Sequence, residues 1–288
     1  MKKYIIHFIL NTMCWYTRNG GKLRGRYRMM KWLIERPLIF ENSDKRVVQL
    51  KHVGPIELNP SDYIEKILFI TGEYENNLVE LLNKVLKKGD CFLDIGANIG
   101  YFSLIAANIV QNEGVVYSFE ASDKTFQKLE RNIELNRINN LKLFNFAVSN
   151  KEESLTFNIQ KDGNSGMSSF RKLDGYKAES ITINAKPIDY FLNEMSKIKL
   201  IKMDIEGAEG MVIEGMQNLI NRDRPFITLE LVDKYLIQLG YSAQNIIEKL
   251  KQLNYQIYFL DFPLKMVSEA PKEQCNILCI PNEVVPDF

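Results

Sequence analysis

Two sets of residues in this 288-residue chain have the types and spacing that chemistry requires. The first is Asp94-Ile-Gly96-Ala97-Asn98-Ile-Gly100, which follows the apolar run Phe92–Ile95 and opens into a helical pattern over Ile99–Gln111. Gly96 permits a tight turn and a close backbone approach, and Gly100 lets the helix pack on the strand. Twenty-six residues after Asp94, Glu120 ends the next apolar run, Val115–Phe119. A carboxylate at that place can accept hydrogen bonds from both hydroxyls of an adenosine ribose.

Dinucleotide-binding enzymes share that acid, so the loop has to discriminate. Pyrophosphate binding uses G-x-G-x-x-G, whose backbone N–H groups face two negative charges. Here one glycine of the triplet is missing, and Asp94 stands at the mouth of the loop where it would repel pyrophosphate. The same carboxylate favours a ligand carrying an ammonium and a sulfonium. S-adenosylmethionine carries both, together with an adenosine ribose for Glu120.

The second set is acidic. Asp204, Glu206 and Glu209 follow the apolar run Leu200–Met203, and Glu230 lies near the end of Phe226–Leu231. Carboxylates gathered at one place repel each other, so a positive group belongs among them: the sulfonium, Lys202 or a divalent ion. Glu206 and Glu209 could instead do no more than cap the next helix, where acids favour the dipole. The only histidines, His7 and His52, are remote from either set. A proton taken from an acceptor hydroxyl therefore falls to Asp204 or Glu206, with Glu230 next in line. A metal-assisted variant would use the same carboxylates to hold Mg²⁺; it is not the expected arrangement.

The elements that position these residues alternate regularly. Strands at 92–95, 115–119 and 141–148 are separated by helices at 99–111 and from the cap Ser122 to about Arg137. This pattern implies a doubly wound, mostly parallel sheet. Residues 151–187 change to period two and read as an antiparallel insertion or an edge elaboration of the main sheet, with a flexible polar loop from Asp162 to Ser169. The winding resumes with a strand at 200–203, one helix over Ala208–Asn221, a strand at 226–231, a helix at 243–253 and strands at 257–260 and 277–280. Earlier, short strands are expected over 47–58, a turn at Asn59–Asp62 and a helix over 77–88. The expected organisation is a basic N-terminal extension, 1–45, on one α/β domain, 46–288.

A composition of 45% apolar and 25% charged residues excludes global disorder, and four cysteines with two histidines make a structural zinc site implausible. Cys14, Cys91, Cys275 and Cys279 read as ordinary reduced thiols. The net charge of +1 hides a split. Residues 1–40 hold nine of the 37 Lys/Arg and one of the 36 Asp/Glu, a +8 arm on a −7 body. The run Tyr4–Leu10 is broken by His7 and lacks a following small-x-small site, so it reads poorly as a secretion signal, and it is too short to span a bilayer. From Arg18 to Arg36 basic residues alternate with Tyr27, Met29, Met30, Trp32 and Leu33. Either this is a helix packed on the domain, or residues 1–36 form a basic amphipathic arm that touches a membrane surface or polyanion. The expected location is cytoplasmic, with membrane association as the variant; oligomeric state is not legible.

The motifs occur together in a recognisable order: Gly72-Glu-Tyr74-Glu75, Asp94-Ile-Gly-Ala-Asn-Ile-Gly-Tyr, Phe119-Glu120-Ala121, Asn145-Phe-Ala147-Val148-Ser149, Lys202-Met-Asp204-Ile-Glu206-Gly207-Ala-Glu209 and Arg224-Pro225 with Glu230. Over residues 70–260 the chain resembles the FkbM family of S-adenosylmethionine-dependent methyltransferases. The resemblance implies a Rossmann-like class I methyltransferase fold, with the first, fourth and fifth strands adjacent, so that Asp94, Asp204 and Glu230 would converge on one cleft. It implies a cofactor site of Glu75, Asp94, Gly96, Ala97, Asn98, Gly100, Glu120, Ala121, Ala147, Val148 and Asp204. It also implies O-methylation of a sugar, glycan or other small natural product. Separately, the near-neutral net charge, the acidic body and the lack of a recognised RNA module argue against a stable nucleic-acid complex. The competing readings are an RNA methyltransferase using the basic arm, an NAD(P)-dependent oxidoreductase and a non-catalytic binding module.

Overall fold

The computed structural model describes residues 2–19, 25–36, 40, 44–161, 163–173 and 175–286, with side chains from Phe8 onward apart from Ser165. Lys22, Arg24, Pro37 and Asp162, and the side chains of Lys2, Lys3 and His7, lie outside that set. The chain opens with two helices, α1 (Lys2–Asn19) and α2 (Arg26–Ile34), then a hairpin, β1 (Arg46–Leu50) and β2 (Gly54–Leu58), and helices α3 (Tyr63–Thr71) and α4 (Asn76–Val85). The winding follows with β3 (Cys91–Ile95), α5 (Tyr101–Val110), β4 (Val115–Phe119), α6 (Asp123–Asn136) and β5 (Leu141–Phe144). Then come β6 (Ala147–Val148), β7 (Glu153–Gln160), β8 (Ala178–Lys186) and β9 (Ile198–Met203). The last part holds α7 (Glu209–Glu214), α8 (Gln217–Asp223), β10 (Phe226–Leu231), α9 (Asp233–Leu236), α10 (Ala243–Gln252), β11 (Tyr255–Phe259), β12 (Lys265–Met266) and β13 (Cys275–Pro281).

The main sheet has the order β12-β11-β13-β10-β9-β3-β4-β5. β3, β4, β5, β9 and β10 run parallel, while β13 is antiparallel to both β10 and β11. The chain winds outward from β3 through β4 to β5 and then returns to lay β9 on the other side of β3. That reversal opens a crevice between β3 and β9 at their carboxyl ends, the place where open α/β sheets bind ligands. One apolar cluster packs α4 and α5 on one face of the sheet, and a second packs α7, α8 and α10 on the other. The architecture is thus a doubly wound, largely parallel sheet with a small three-stranded insertion, β6-β8-β7.

Several element boundaries differ from the sequence reading, each for a local reason. The expected strand 141–148 is two strands. β5 stays in the main sheet, and the chain bends at Asn145, whose amide donates to Glu120 O at 3.0 Å, so that β6 joins a separate three-stranded sheet, β6-β8-β7. The insertion is thus its own small sheet and not an edge of the main one. The expected single helix 208–221 is α7 and α8, broken at Gly215. A Cβ at Gly215 would lie 2.1 Å from Ser149 O, so the helix yields to a close crossing of the 149–150 turn. Helix α3 was not anticipated after the Asn59–Asp62 turn.

The N-terminal helices pack on α3. Cys14 and Leu33 are fully buried in the same apolar cluster as Leu68 and Ile70, and Thr17 donates its hydroxyl to Ile70 O. No helix among the described residues is long and apolar enough to cross a membrane. Leu33→Ala should therefore cost about 2–4 kcal/mol in denaturant unfolding. Trp32→Ala, one residue earlier and exposed, should stay within about 0.5 kcal/mol. Equal small effects would show that the arm is not part of the folded core.

Candidate active site

A cavity of about 650 Å³, partly open to solvent, lies over the carboxyl ends of β3, β4 and β9. Its floor is the glycine loop after β3. Gly96 adopts φ 78°, and a Cβ there would lie 2.0 Å from Asp204 O, so only glycine lets the loops after β3 and β9 approach this closely. The amides of Gly96 and Ala97 both donate to Phe119 O, at 3.0 and 2.9 Å, which ties the loop to the end of β4. Asn98 takes the left-handed conformation at φ 50°, and its amide donates to Glu120 Oε2 at 3.0 Å.

Glu120 accepts one backbone amide on each oxygen, Asn98 N on Oε2 and Ser122 N at 2.9 Å on Oε1. Each oxygen keeps acceptor capacity beyond that one bond. Burial pushes its carboxyl up to about 7, and the two amides hold it from rising further. The cavity wall beside it is apolar: Phe119, Phe146, Ala147 and Val148 on one side, Phe157 and Phe170 from the insertion on the other.

Across the cavity stands the acidic set. Asp204 lines the cavity, and carboxylate oxygens of Asp204, Glu206 and Glu230 lie within 4.8 Å of one another. Such an all-carboxylate set could hold a hard divalent cation. Two protein cations already face it. Lys202, which is buried, sits 3.3 Å from Asp94 and 3.8 Å from Asp204 and donates to Gly96 O at 2.8 Å. Burial alone would depress its ammonium, but the Asp94, Asp204 and Glu75 charges more than offset this and hold it above its ordinary value. Arg171, buried and stacked 3.7 Å over the Tyr235 ring, pairs with Glu206 at 3.4 Å.

Glu206 has φ 54° and leads into Gly207, where a Cβ would press on the Tyr235 backbone at 2.9 Å. This tight turn aims Glu206 back at the cluster. Burial first, then the Asp204 and Glu230 charges, push its carboxyl up to about 8 against the pull of Arg171. Glu209, buried at the start of α7, is raised to about 8 by the same burial, and it accepts Gly207 N at 3.3 Å, from the turn before the helix. Glu75 and Glu230 are also raised, by burial and then by Asp204. Beyond them lies an open groove of about 1230 Å³ with Asn76, Asn77, Gln274 and Asn276 on its walls. Gln274 bonds Glu230, Asn276 bonds Glu75 and Asn77 bonds Asp261 at 2.7 Å.

The sequence of the Methyltransferase FkbM domain matches residues 94–257, more than half of the chain. The chain belongs to the FkbM methyltransferase family. Among curated relatives, Methyltransferase 1 of Beauveria bassiana (strain ARSEF 2860) is 28% identical over 149 residues, 45% of this chain and 59% of that protein. The chain thus spans less than two thirds of that relative's length. An FkbM methyltransferase structure from Methylobacillus flagellatus KT is similar at 13% identity and TM-score 0.43, over 87% of this chain and 57% of that one. A putative rRNA methylase from Clostridium thermocellum is similar at 14% identity and TM-score 0.46, over 71% and 93%.

In this FkbM chain the structure brings Gly96, Asn98, Glu120, Ala121, Ala147, Val148 and Asp204 to the cavity. It does not bring Asp94, Ala97 or Gly100 there. Asp94 is completely buried, accepts Ser103 Oγ at 2.6 Å and faces Lys202, so its charge is neutralised inside the sheet and does not face a ligand. Ala97 is spent on the tie to Phe119, and Gly100 makes room for Leu129 of α6. Glu75, in the left-handed conformation at the start of α4, joins the acidic cluster and the outer groove instead. Sequence reasoning missed Phe157, Phe170 and Arg171, whose only signal was an apolar–basic pair after the polar loop.

These carboxyls bind protons more tightly folded than unfolded. Their contribution to stability is therefore complete below the unfolded value near 4.3 and is lost as pH rises through about 7–8. The ligand-free protein should gain thermal stability as pH falls from about 8.5 to about 6, and Glu206→Gln should flatten that slope. A melting temperature independent of pH in this window would mean that the cluster is already ionised or solvated.

Proposed function

We propose that the chain transfers a methyl group from S-adenosylmethionine to a hydroxyl of a small polyhydroxylated acceptor. The observation that carries this reading is the polarity of one cavity. A buried carboxylate with free acceptor capacity, Glu120, stands among apolar walls, and Asp204, the member of the acidic cluster that reaches this cavity, lines it as well. An adenosine fits the apolar part, through its ribose hydroxyls on Glu120 and its base among Phe146, Ala147 and Val148. A sulfonium fits beside Asp204, because a positive ligand relieves carboxylates that burial and mutual repulsion have pushed up. A pyrophosphate would meet the same charges unfavourably. When bound, S-adenosylmethionine supplies an electrophilic methyl carbon on a positively charged sulfur.

The protein's share of the reaction is alignment and proton removal. The C–O bond forms as the C–S bond breaks, the sulfur leaves neutral, and the hydroxyl proton passes to a carboxylate. Holding oxygen, carbon and sulfur in line accounts for much of such catalysis. Glu206, raised to about 8, and Glu230, raised to about 7, lie in the range where a carboxylate takes a proton efficiently near neutrality, and Asp204 stands beside both. The amide-lined groove suits an acceptor with several hydroxyls, such as a sugar, and its carboxylates disfavour a phosphorylated one.

Calorimetry should show binding of S-adenosylmethionine and its demethylated product, and none of NADH. Glu120→Ala should weaken that binding by about 1.5–3 kcal/mol, the worth of charge-assisted hydrogen bonds. Unchanged affinity in the variant would remove Glu120 from the site, and binding of NADH alone would overturn the assignment.

Transfer of a labelled methyl group into a cell extract reads the acidic cluster. Asp204→Asn should lower the single-turnover rate at saturating cofactor by roughly 10²–10⁴, a loss separate from any weakening of cofactor binding read by calorimetry. Loss of wild-type activity on chelation would instead assign the three carboxylates to a divalent ion. Near-wild-type rates in Asp204→Asn, Glu206→Gln and Glu230→Gln alike would leave positioning as the whole of the catalysis.

A further inference from the structure

The two N-terminal helices have one face too many. A helix packed on a domain needs one apolar side, and α1 and α2 already bury theirs. Leu10, Met13, Cys14 and Thr17 on α1 and Met29, Met30, Leu33 and Ile34 on α2 turn toward the domain. The opposite side should then be polar. It carries Phe8, Ile9 and Trp15 among the polar Asn11, Thr12 and Asn19 on α1, and Tyr27 and Trp32 among Arg28 and Lys31 on α2. Phe8 is 72% exposed, Trp15 61%, Tyr27 77% and Trp32 40%, and Phe8 and Trp15, seven residues apart, share one stripe of their helix. Isolated exposed apolar residues are ordinary, but five within 25 residues, including both tryptophans of the chain and borne on two helices that contact each other, call for a partner.

Cations are interleaved with the aromatics. Arg28, Lys31 and Arg36 are exposed on or beside the same face of α2, and the Arg36 guanidinium lies 4.6 Å from the centre of the Trp32 ring. One acidic residue, Glu35, is present in residues 1–40, against nine basic ones. We propose that this outer face of α1 and α2 docks on an anionic lipid bilayer, as a surface contact and not a span. Phe8 and Ile9 have no polar side-chain atom and suit acyl chains. Trp15, Tyr27 and Trp32 combine an apolar body with a polar edge, the property that places these residues at the membrane–water interface. The arginines and lysine reach anionic headgroups while their stems cover apolar surface. Each such cation near an anionic surface raises partitioning about fivefold. RNA would use the cations and stack on the rings, but it gives Phe8 and Ile9 no hydrocarbon to enter.

Because Trp15 and Trp32 are the only tryptophans, the intact protein carries its own probe. Tryptophan emission is recorded with full-length protein and vesicles of phosphatidylcholine alone, or with a quarter of phosphatidylglycerol, and binding is read in parallel by co-sedimentation. The expected result is a blue shift and quenching by brominated acyl chains with the anionic vesicles, weakened as salt rises from about 50 to about 500 mM. Arg28→Gln with Lys31→Gln should reduce partitioning at least tenfold. Phe8→Ser with Tyr27→Ser should do likewise while the thermal midpoint stays unchanged. Unshifted emission without co-sedimentation on anionic vesicles overturns the proposal, as does salt-sensitive binding to structured RNA without binding to vesicles. The readout is independent of methyl transfer, so its failure would leave the proposed reaction untouched.

Discussion

The site is organised around one buried ammonium. Lys202 stands beside Asp94 in the register of the parallel pair β3–β9, so the two side chains emerge on the same face of the sheet. Its Nζ reaches Asp94, Asp204 and the carbonyl of Gly96 at once. A lysine there without those partners would be costly, and so would Asp94 without the lysine, because each is a buried charge whose desolvation must be offset by its neighbour. The pair therefore fixes the crevice at the switch point and pins the glycine loop from beneath. It also places a positive charge under a group of carboxylates that would otherwise repel one another.

That arrangement changes what the glycine loop says. Read along the chain, Asp94 looks like a ligand for a cation. In the fold its charge is already answered, and the task of meeting a positive ligand passes to the outer carboxylates, Asp204, Glu206, Glu230 and Glu75. Burial raises three of these and the ionised neighbours raise them further, so the cluster holds protons near neutrality when no cation is near. Under the proposed reaction, a sulfonium in the cavity would supply the missing charge and favour ionisation. The same event would prepare a base beside the acceptor.

The parts legible in the sequence are those encoded within one short segment or at a strand end. The turn at Gly96, the acid at Glu120 and the acidic residues after β9 and β10 follow from local pattern together with the rule that ligands gather at carboxyl ends. The parts that were not legible depend on register or on distant contacts. Apolar alternation cannot say that Asp94 lies opposite Lys202, since a fully buried parallel strand has no polar face to fix its phase. Nor could it show that the insertion folds back to place Phe157 and Phe170 over the cavity and Arg171 against Glu206. The break at Gly215 was hidden for a similar reason: the helical pattern continues through it, and only the crossing at Ser149 interrupts the helix.

The charge split of the chain has a consequence for orientation. An anionic surface attracts the +8 arm and repels the −7 body, so electrostatics alone turns the molecule arm-first, and this torque acts over roughly a Debye length before any side chain makes contact. The arm cannot swing freely once it has landed, because Cys14, Thr17 and Leu33 are locked into the core around α3. The Arg18 side chain also packs over Gly72 at the end of that helix, three residues before Glu75 enters the acidic cluster. A bilayer contact at α1 and α2, as proposed, would thus reach the body as a fixed pose and not as a tether, and would hold the outer groove at a set place relative to the surface. A docking face made of rigid helices and a catalytic groove joined to it by a few ordered residues would suit an acceptor that itself resides at a membrane.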